Sequence, residues 1–218
     1  MKDQNGTSNL NILTFFTIAI SIIIIIPVIF ILIESINLKS FPYNDILSNY
    51  FSDTLKLVLY TCLISIILAV VPAWIITFCK IGYQKTFELL LILPISIPGY
   101  IMAFTYADIL GFNGFFDVFL QNNFNKKIEL DVLSIEWLSL FLALSLYPYI
   151  YLTTRIAFKL TGNIYLDLAK NLGLSHLRIF FKITLPLSLS AIFSGTLLVI
   201  MEVLNEYGAV NYFGIKTF

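Results

Sequence analysis

The sequence contains few of the residues from which catalytic and metal sites are usually built. It has one histidine, His176, and two cysteines, Cys62 and Cys79. The cysteines fall in one predicted helix, where a rise of ~1.5 Å per residue separates them by about 25 Å, too far for a disulfide. Neither cysteine has a metal-ligand spacing around it. We therefore predict no catalytic group, no bound metal and no cofactor.

Charge is also scarce. Only 12% of the residues are charged and 59% are hydrophobic, whereas a soluble domain carries about 25% charge. The formal net charge is zero, so no nucleic-acid surface is implied. The sequence has no phosphate-binding loop of the Gly-x-x-x-x-Gly-Lys-Ser/Thr type, so the chain itself is not expected to bind ATP. This composition predicts an all-α integral membrane protein, a polytopic helical bundle.

Several apolar segments are long enough to cross a bilayer, which takes roughly 20 helical residues. The first is too long for a cleaved signal peptide and is interpreted as a membrane helix. Pro94 and Pro98, followed by Gly99, predict a kink or a locally unwound stretch in the third segment. The predicted spans are residues 12–33, 55–78, 89–110, 135–158 and 183–203.

The distribution of positive residues predicts the orientation. Five of them, from Arg155 to Lys182, lie in or next to the loop at residues 161–182, so this loop and residues 1–11 are expected in the cytoplasm. Residues 12–54 then hold the first span and an extracytoplasmic loop. Residues 112–134 form the longest extracytoplasmic loop, which is either irregular or a short surface helix with Phe115, Phe116 and Phe119 facing the membrane.

The loop at residues 161–182 carries the most specific pattern in the chain. It reads Asp167-Leu-Ala-Lys-Asn-Leu-Gly173 and is followed, nine residues later, by Ile183-Thr-Leu185-Pro186. Thr161 or Asn163 can cap a helix start, Gly173 can end the helix, and Pro186 fits the first turn of the fifth span. Periodicity alone is more typical of a basic interfacial loop, as many membrane proteins have, than of a docking helix.

This spacing resembles the cytoplasmic signature of type I ABC-importer permeases, Glu-Ala-Ala, three residues, Gly, nine residues, Ile-x-Leu-Pro. Similar stretches run from Leu93 to Asp108, from Leu146 to Arg155 and from Glu202 to Gly214, and the last is most similar to the iron(III)-transport branch. The resemblance covers roughly residues 50–218, and the permease core is placed at residues 55–218.

Two departures from the family pattern lie in the loop at residues 161–182. Asp167 stands where the family usually has Glu, and Leu168 where it has Ala. Length is the larger departure, because iron-branch permeases usually fuse two halves and this chain corresponds to one half at most, ending before an expected sixth span. The resemblance thus raises the expectation of a split or truncated permease.

The resemblance implies a transport subunit of the bacterial inner membrane rather than an enzyme. It implies docking of an ABC ATPase dimer, and further partners in an extracytoplasmic solute-binding protein, a second permease half or homologous chain, and membrane lipids. The solute it favours is ferric iron, with thiamine, polyamine and sulfate permeases as alternatives that share the loop. The docking residues it implies are Asp167, Ala169, Gly173, Leu185 and Pro186.

Four acids lie near span ends: Glu88, Asp108, Glu202 and Glu206. Glu202 and Glu206 are four residues apart and are predicted to share one helical face. They line the translocation path, or else they lie hydrated at the interface or pair with residues of a second permease half. An alternative function is a secondary transporter driven by an ion gradient, with Asp108, Glu202 and Glu206 as relays. A membrane-embedded enzyme is disfavoured because the spans hold no catalytic cluster.

Overall fold

The computed structural model describes residues 5–37, 44–79, 82–124, 130–171 and 173–217. Side chains are described at residues 14–30, 32–33, 48–79, 82–123, 130–160 and 173–217. The chain divides into two units, residues 1–46 and 47–218. Every regular element in the described ranges is helical, which confirms the all-α prediction.

The helices follow one another with short connections. They are α1 (Asn5–Asn37), α2 (Asn44–Phe78), α3 (Gln84–Ile92), α4 (Gly99–Leu110), α5 (Phe115–Phe124), α6 (Ile135–Asn171), α7 (His176–Ile179), α8 (Leu185–Leu187), α9 (Leu189–Leu204) and α10 (Tyr207–Tyr212). A 3₁₀ turn at Leu93–Ser96 follows α3, and a π-helical turn at Phe180–Thr184 joins α7 to α8.

Two straight helices in the described part of the chain are long and apolar enough to cross a membrane. They are Ser48–Phe78 and Ile135–Leu160, and two bent helix pairs raise the number to four if each pair is one span. These four correspond to the second to fifth predicted spans. The first predicted span lies in α1, an unbroken helix, and the part of it whose side chains are described continuously, Thr14–Phe30, is apolar.

The third predicted span is broken, as its prolines indicated. After the 3₁₀ turn, Ile97 is extended and Pro98 precedes the first residue of α4, and the two halves meet at 97°. The break frees a backbone carbonyl, and the Ser145 hydroxyl of α6 donates a hydrogen bond to the Ile97 carbonyl at 3.2 Å. Neighbouring side chains satisfy freed backbone groups in this way inside membranes.

The core of residues 47–218 is built around α6, which packs most extensively against α9 and α4. Phe141, Leu142, Ile150 and Tyr151 of α6 are at most 1% exposed. At Gly195 of α9, a Cβ would stand 2.7 Å from the Ile150 Cα atom. The two helices therefore approach closely, as membrane helices do at small residues.

Residues 115–124 of the predicted extracytoplasmic loop form α5, so the irregular-loop alternative is wrong for this stretch. Phe115, Phe116 and Phe119 are 76%, 40% and 48% exposed. Asp117 of the same helix is buried, and the Gln121 side chain donates to it at 3.0 Å. The helix is thus amphipathic, with its aromatic side chains outward.

Candidate functional site

The loop at residues 161–182, for which docking of an ATPase is predicted, is called the docking segment below. It begins as the continuation of the candidate membrane helix α6. α6 runs without interruption from Ile135 to Asn171, so the predicted helix start at Thr161 or Asn163 is wrong. Asp167 and Ala169 lie in this backbone, and their side chains fall outside the described ones.

Gly173 follows the end of α6 with a φ of +73°. Residues with a Cβ rarely adopt this left-handed conformation, and glycine is the usual choice after a helix C-terminus. A Cβ at Gly173 would meet nothing within 4 Å. The chain itself therefore requires glycine here for its backbone conformation rather than for internal space.

The second half of the docking segment is anchored to two membrane helices. Ile179 is fully buried and packs against Phe78 of α2. The ring of Phe180 lies 5.2 Å from that of Trp74, and the rings of Phe78 and Phe158 are 5.7 Å apart. This aromatic cluster connects the segment to the end of α2 and, through Phe78, to Phe158 within α6. Sequence periodicity did not reveal it.

Pro186 does not open the fifth span as predicted. Helical backbone runs from His176 to Leu187, and the chain bends by 66° before it continues as α9. Proline lacks an N–H and its ring crowds the preceding turn, so a helix that contains it widens or bends. Leu185 packs against the main core, while Pro186 is exposed.

The two predicted path carboxylates do not share a helical face. α9 ends at Leu204, and Glu206 is the N-cap of α10, where its Oε1 accepts a hydrogen bond from the Ala209 N–H at 3.2 Å. Its Oε2 lies 2.9 Å from the position of a Cβ on Gly99, at the start of α4. Glu206 therefore stabilises the turn from α9 to α10, beside the start of α4.

Glu202 remains on α9 and is exposed, and its Oε1 accepts a hydrogen bond from the Tyr149 hydroxyl of α6 at 3.3 Å. Glu206 lines a pocket of about 470 Å³ with Asn205, Asn211 and Lys216. Asp108 lines a different pocket. The three acids proposed as ion relays are thus not brought together.

The fourth acid, Glu88, forms an ion pair with Arg155 that sequence reasoning missed. The Arg155 Nη2 atom of α6 donates to the Glu88 Oε1 atom of α3, and the side chains are 12% and 24% exposed. The residues are 67 positions apart, so no local pattern joins them. Among the described side chains, no three of His, Cys, Asp or Glu gather as they would in a metal site.

The sequence is similar to curated transport permeases. It is 27% identical over 162 residues to the molybdenum transport system permease protein ModB of Escherichia coli K12, covering 73% of this chain and 69% of that protein. ModB of Haemophilus influenzae is 27% identical over 165 residues, with the same coverages. The probable sulfate transport system permease protein cysT of Helicosporidium is 24% identical over 157 residues, covering 72% of this chain and 57% of that protein.

No protein-family model matches the chain. The similarities support the general type I ABC permease family and a non-enzymatic transport component. With the apolar helices, they indicate an all-α, multi-pass membrane permease. They give no support to the iron(III) branch.

Proposed function

We propose that this chain is a transmembrane subunit of an ATP-driven importer of the bacterial inner membrane, and that it carries an oxyanion such as molybdate or sulfate. The observation that supports this most is the similarity to molybdenum and sulfate permeases over nearly three quarters of the chain. The spacing from Gly173 to Pro186 supports the coupling to an ATPase.

An oxyanion replaces ferric iron as the preferred solute for a structural reason as well. The iron(III) assignment rested on the resemblance of residues 202–214 to that branch, and Glu202 and Glu206 of this stretch were predicted to line the translocation path. Glu206 instead accepts a backbone N–H at a helix N-terminus, where a negative charge is favourable without a cation. Ferric iron stays as the alternative cargo, together with thiamine and polyamines.

The proposed mechanism transmits ATPase movement through the docking segment. A solute-binding protein delivers the anion to one side, and a second permease chain completes the enclosure of the pathway. Closure of the ATPase dimer moves residues 161–182, and the helices attached to them shift as rigid bodies. Ile179 and Phe180 are suited to pass this movement to α2, since they pack against Phe78 and Trp74 of that helix.

Uptake by the reconstituted complex tests the proposal. The chain is placed in liposomes with its ATPase, binding protein and second permease chain, and labelled molybdate, sulfate and ferric iron are offered in separate experiments. We expect vanadate-sensitive, ATP-dependent uptake of an oxyanion. Uptake of ferric iron and of neither oxyanion would contradict the proposed solute. Uptake driven by an ion gradient without ATP would show that the protein is a secondary transporter.

A charge change in the docking segment provides a matched control. Asp167→Arg is expected to abolish co-purification with the ATPase, whereas Asp131→Arg makes the same change at an exposed residue that precedes α6 and should leave it intact. Equal retention of the ATPase by both variants would contradict docking at residue 167.

A further inference from the structure

The ion pair between Arg155 and Glu88 occupies an unusual position for two charges. Arg155 lies within the membrane-spanning stretch Ile135–Leu160 of α6, and Glu88 lies in the first half of the broken span. Charged residues inside membranes are costly and usually have a functional reason. The buried Arg155 Nε has no hydrogen-bond partner among the described residues. Among these residues, Glu88 is the acid that pairs with the guanidinium, through its Nη2 atom.

Arg155 is joined to the docking segment by continuous helix. α6 contains both Arg155 and Asp167 without a break. Twelve residues at a rise of ~1.5 Å place them about 18 Å apart along one axis. Because every backbone hydrogen bond between them lies inside one helix, a displacement at residue 167 moves Arg155 as well.

Glu88 stands at the other end of the connection, on α3, which a break in the backbone separates from α4. α3 and its 3₁₀ turn are separated from α4 by extended Ile97 and by Pro98, with a 97° change of direction. Such a break is a natural hinge, since a few residues absorb the change in backbone angles. Ser145 of α6 contacts the break itself through the Ile97 carbonyl.

We propose that the Arg155–Glu88 pair is the coupling link of this permease: it transmits displacement of the docking segment, carried along α6, to the broken third span. The proposal rests on the proposed function and deepens it. Arg155 and Glu88 are positioning residues, because the pair acts through the broken span and need not touch the solute. Ser145 holds the hinge against α6, so that α3 pivots at Ile97 when Arg155 moves.

The test measures uptake and ATP hydrolysis together in the reconstituted complex. The variants are Glu88→Gln, Arg155→Gln, and the exchange of Glu88→Arg with Arg155→Glu in one chain. Lys159→Gln is the matched control, because it removes a positive charge from an exposed position one turn further along α6. ATPase co-purification is recorded for every variant.

We expect both single variants to bind the ATPase and hydrolyse ATP within about twofold of the parent, while uptake per ATP falls roughly tenfold, the usual scale of coupling between two sites. The exchanged pair should recover most of that ratio, and Lys159→Gln should keep it. A purely structural role would lower yield and both activities together.

Three results would overturn the link. They are unchanged uptake per ATP in both single variants, an exchanged pair as defective as the single variants, and single variants that no longer assemble with the ATPase, which would make the pair a folding element. Absence of ATP-dependent uptake in the parent complex is a separate failure, since it would overturn the proposed function before the pair is considered.

Discussion

At the scale of single residues, Glu206 shows how one carboxylate can organise three helices. It follows the end of α9, caps α10 and reaches the first residue of α4. Its charge lies near two helix N-termini, which carry partial positive charge. Glu206, which the sequence spacing placed on a solute pathway, therefore has a structural role. It also lines the pocket beside it.

Replacing Glu206 should separate its hydrogen bond from its charge. Glu206→Ala removes the acceptor for the Ala209 N–H and should lower stability by about 1 kcal/mol, the usual cost of losing an N-cap. Glu206→Gln keeps an acceptor oxygen and should lose less. Thermal unfolding in detergent measures both, with Asp108→Ala as the control that removes a carboxylate at an exposed position. Equal loss for the Ala and Gln variants would contradict the capping role.

Gly195 tests the contact between α6 and α9. A Cβ there would stand 2.5 Å from the Thr153 Oγ1 atom and 2.7 Å from the Ile150 Cα atom. Because the second neighbour is backbone, Gly195→Ala must push the helices apart and should cost about 1–3 kcal/mol, as overpacking does. Ser194→Ala, at the adjacent exposed position, is the control. A Gly195→Ala protein with parental thermal stability would show that the helices are not so close.

At the scale of elements, Gly173 separates two helical segments that run to different parts of the molecule. α6 carries the first half of the docking segment out of the core, and α7 with its π turn returns the chain to α2. The left-handed backbone at Gly173 makes this reversal. Two explanations for the glycine, backbone conformation and close approach of an ATPase, predict different substitution patterns.

Gly173→Asn and Gly173→Arg distinguish these explanations. Asparagine adopts the left-handed conformation readily among residues with a Cβ, so Gly173→Asn should keep both folding and co-purification with the ATPase. Gly173→Arg should insert into the membrane but fail to co-purify, because a long charged side chain cannot occupy a docking contact. Normal co-purification of the Arg variant would place Gly173 outside that contact.

At the scale of the whole molecule, the proposed orientation can be tested by labelling. Ser175 and Asn122 are both exposed in the structure, and the positive residues from Arg155 to Lys182 predict that they lie on opposite sides. On a background without Cys62 and Cys79, an impermeant thiol reagent should label Asn122→Cys in intact cells. It should label Ser175→Cys only after permeabilisation, and labelling of Ser175→Cys from outside would reverse the orientation.

Much of the architecture follows from local sequence patterns. Runs of about 20 apolar residues must form helices in a bilayer, since no water is present to satisfy the backbone. This argument located the second and fourth spans, and Pro94 and Pro98 located the break in the third. The spacing from Gly173 to Pro186 indicated the general permease family, which the similarities support, while the iron-branch assignment rested on one short stretch and gained no support.

The sequence by itself determined the helical class, the position of the second and fourth spans and the break in the third. It could do so because hydrophobicity and proline act over a few residues. Only the tertiary structure decided which side chains meet. A spacing of four residues joins Glu202 and Glu206 only while one helix continues, and α9 ends between them. Arg155 pairs with Glu88, which is 67 positions away in the sequence, and Ser145 donates a hydrogen bond to Ile97, which is 48 positions away. Such pairs depend on how helices pack, and no periodicity in the chain encodes that packing.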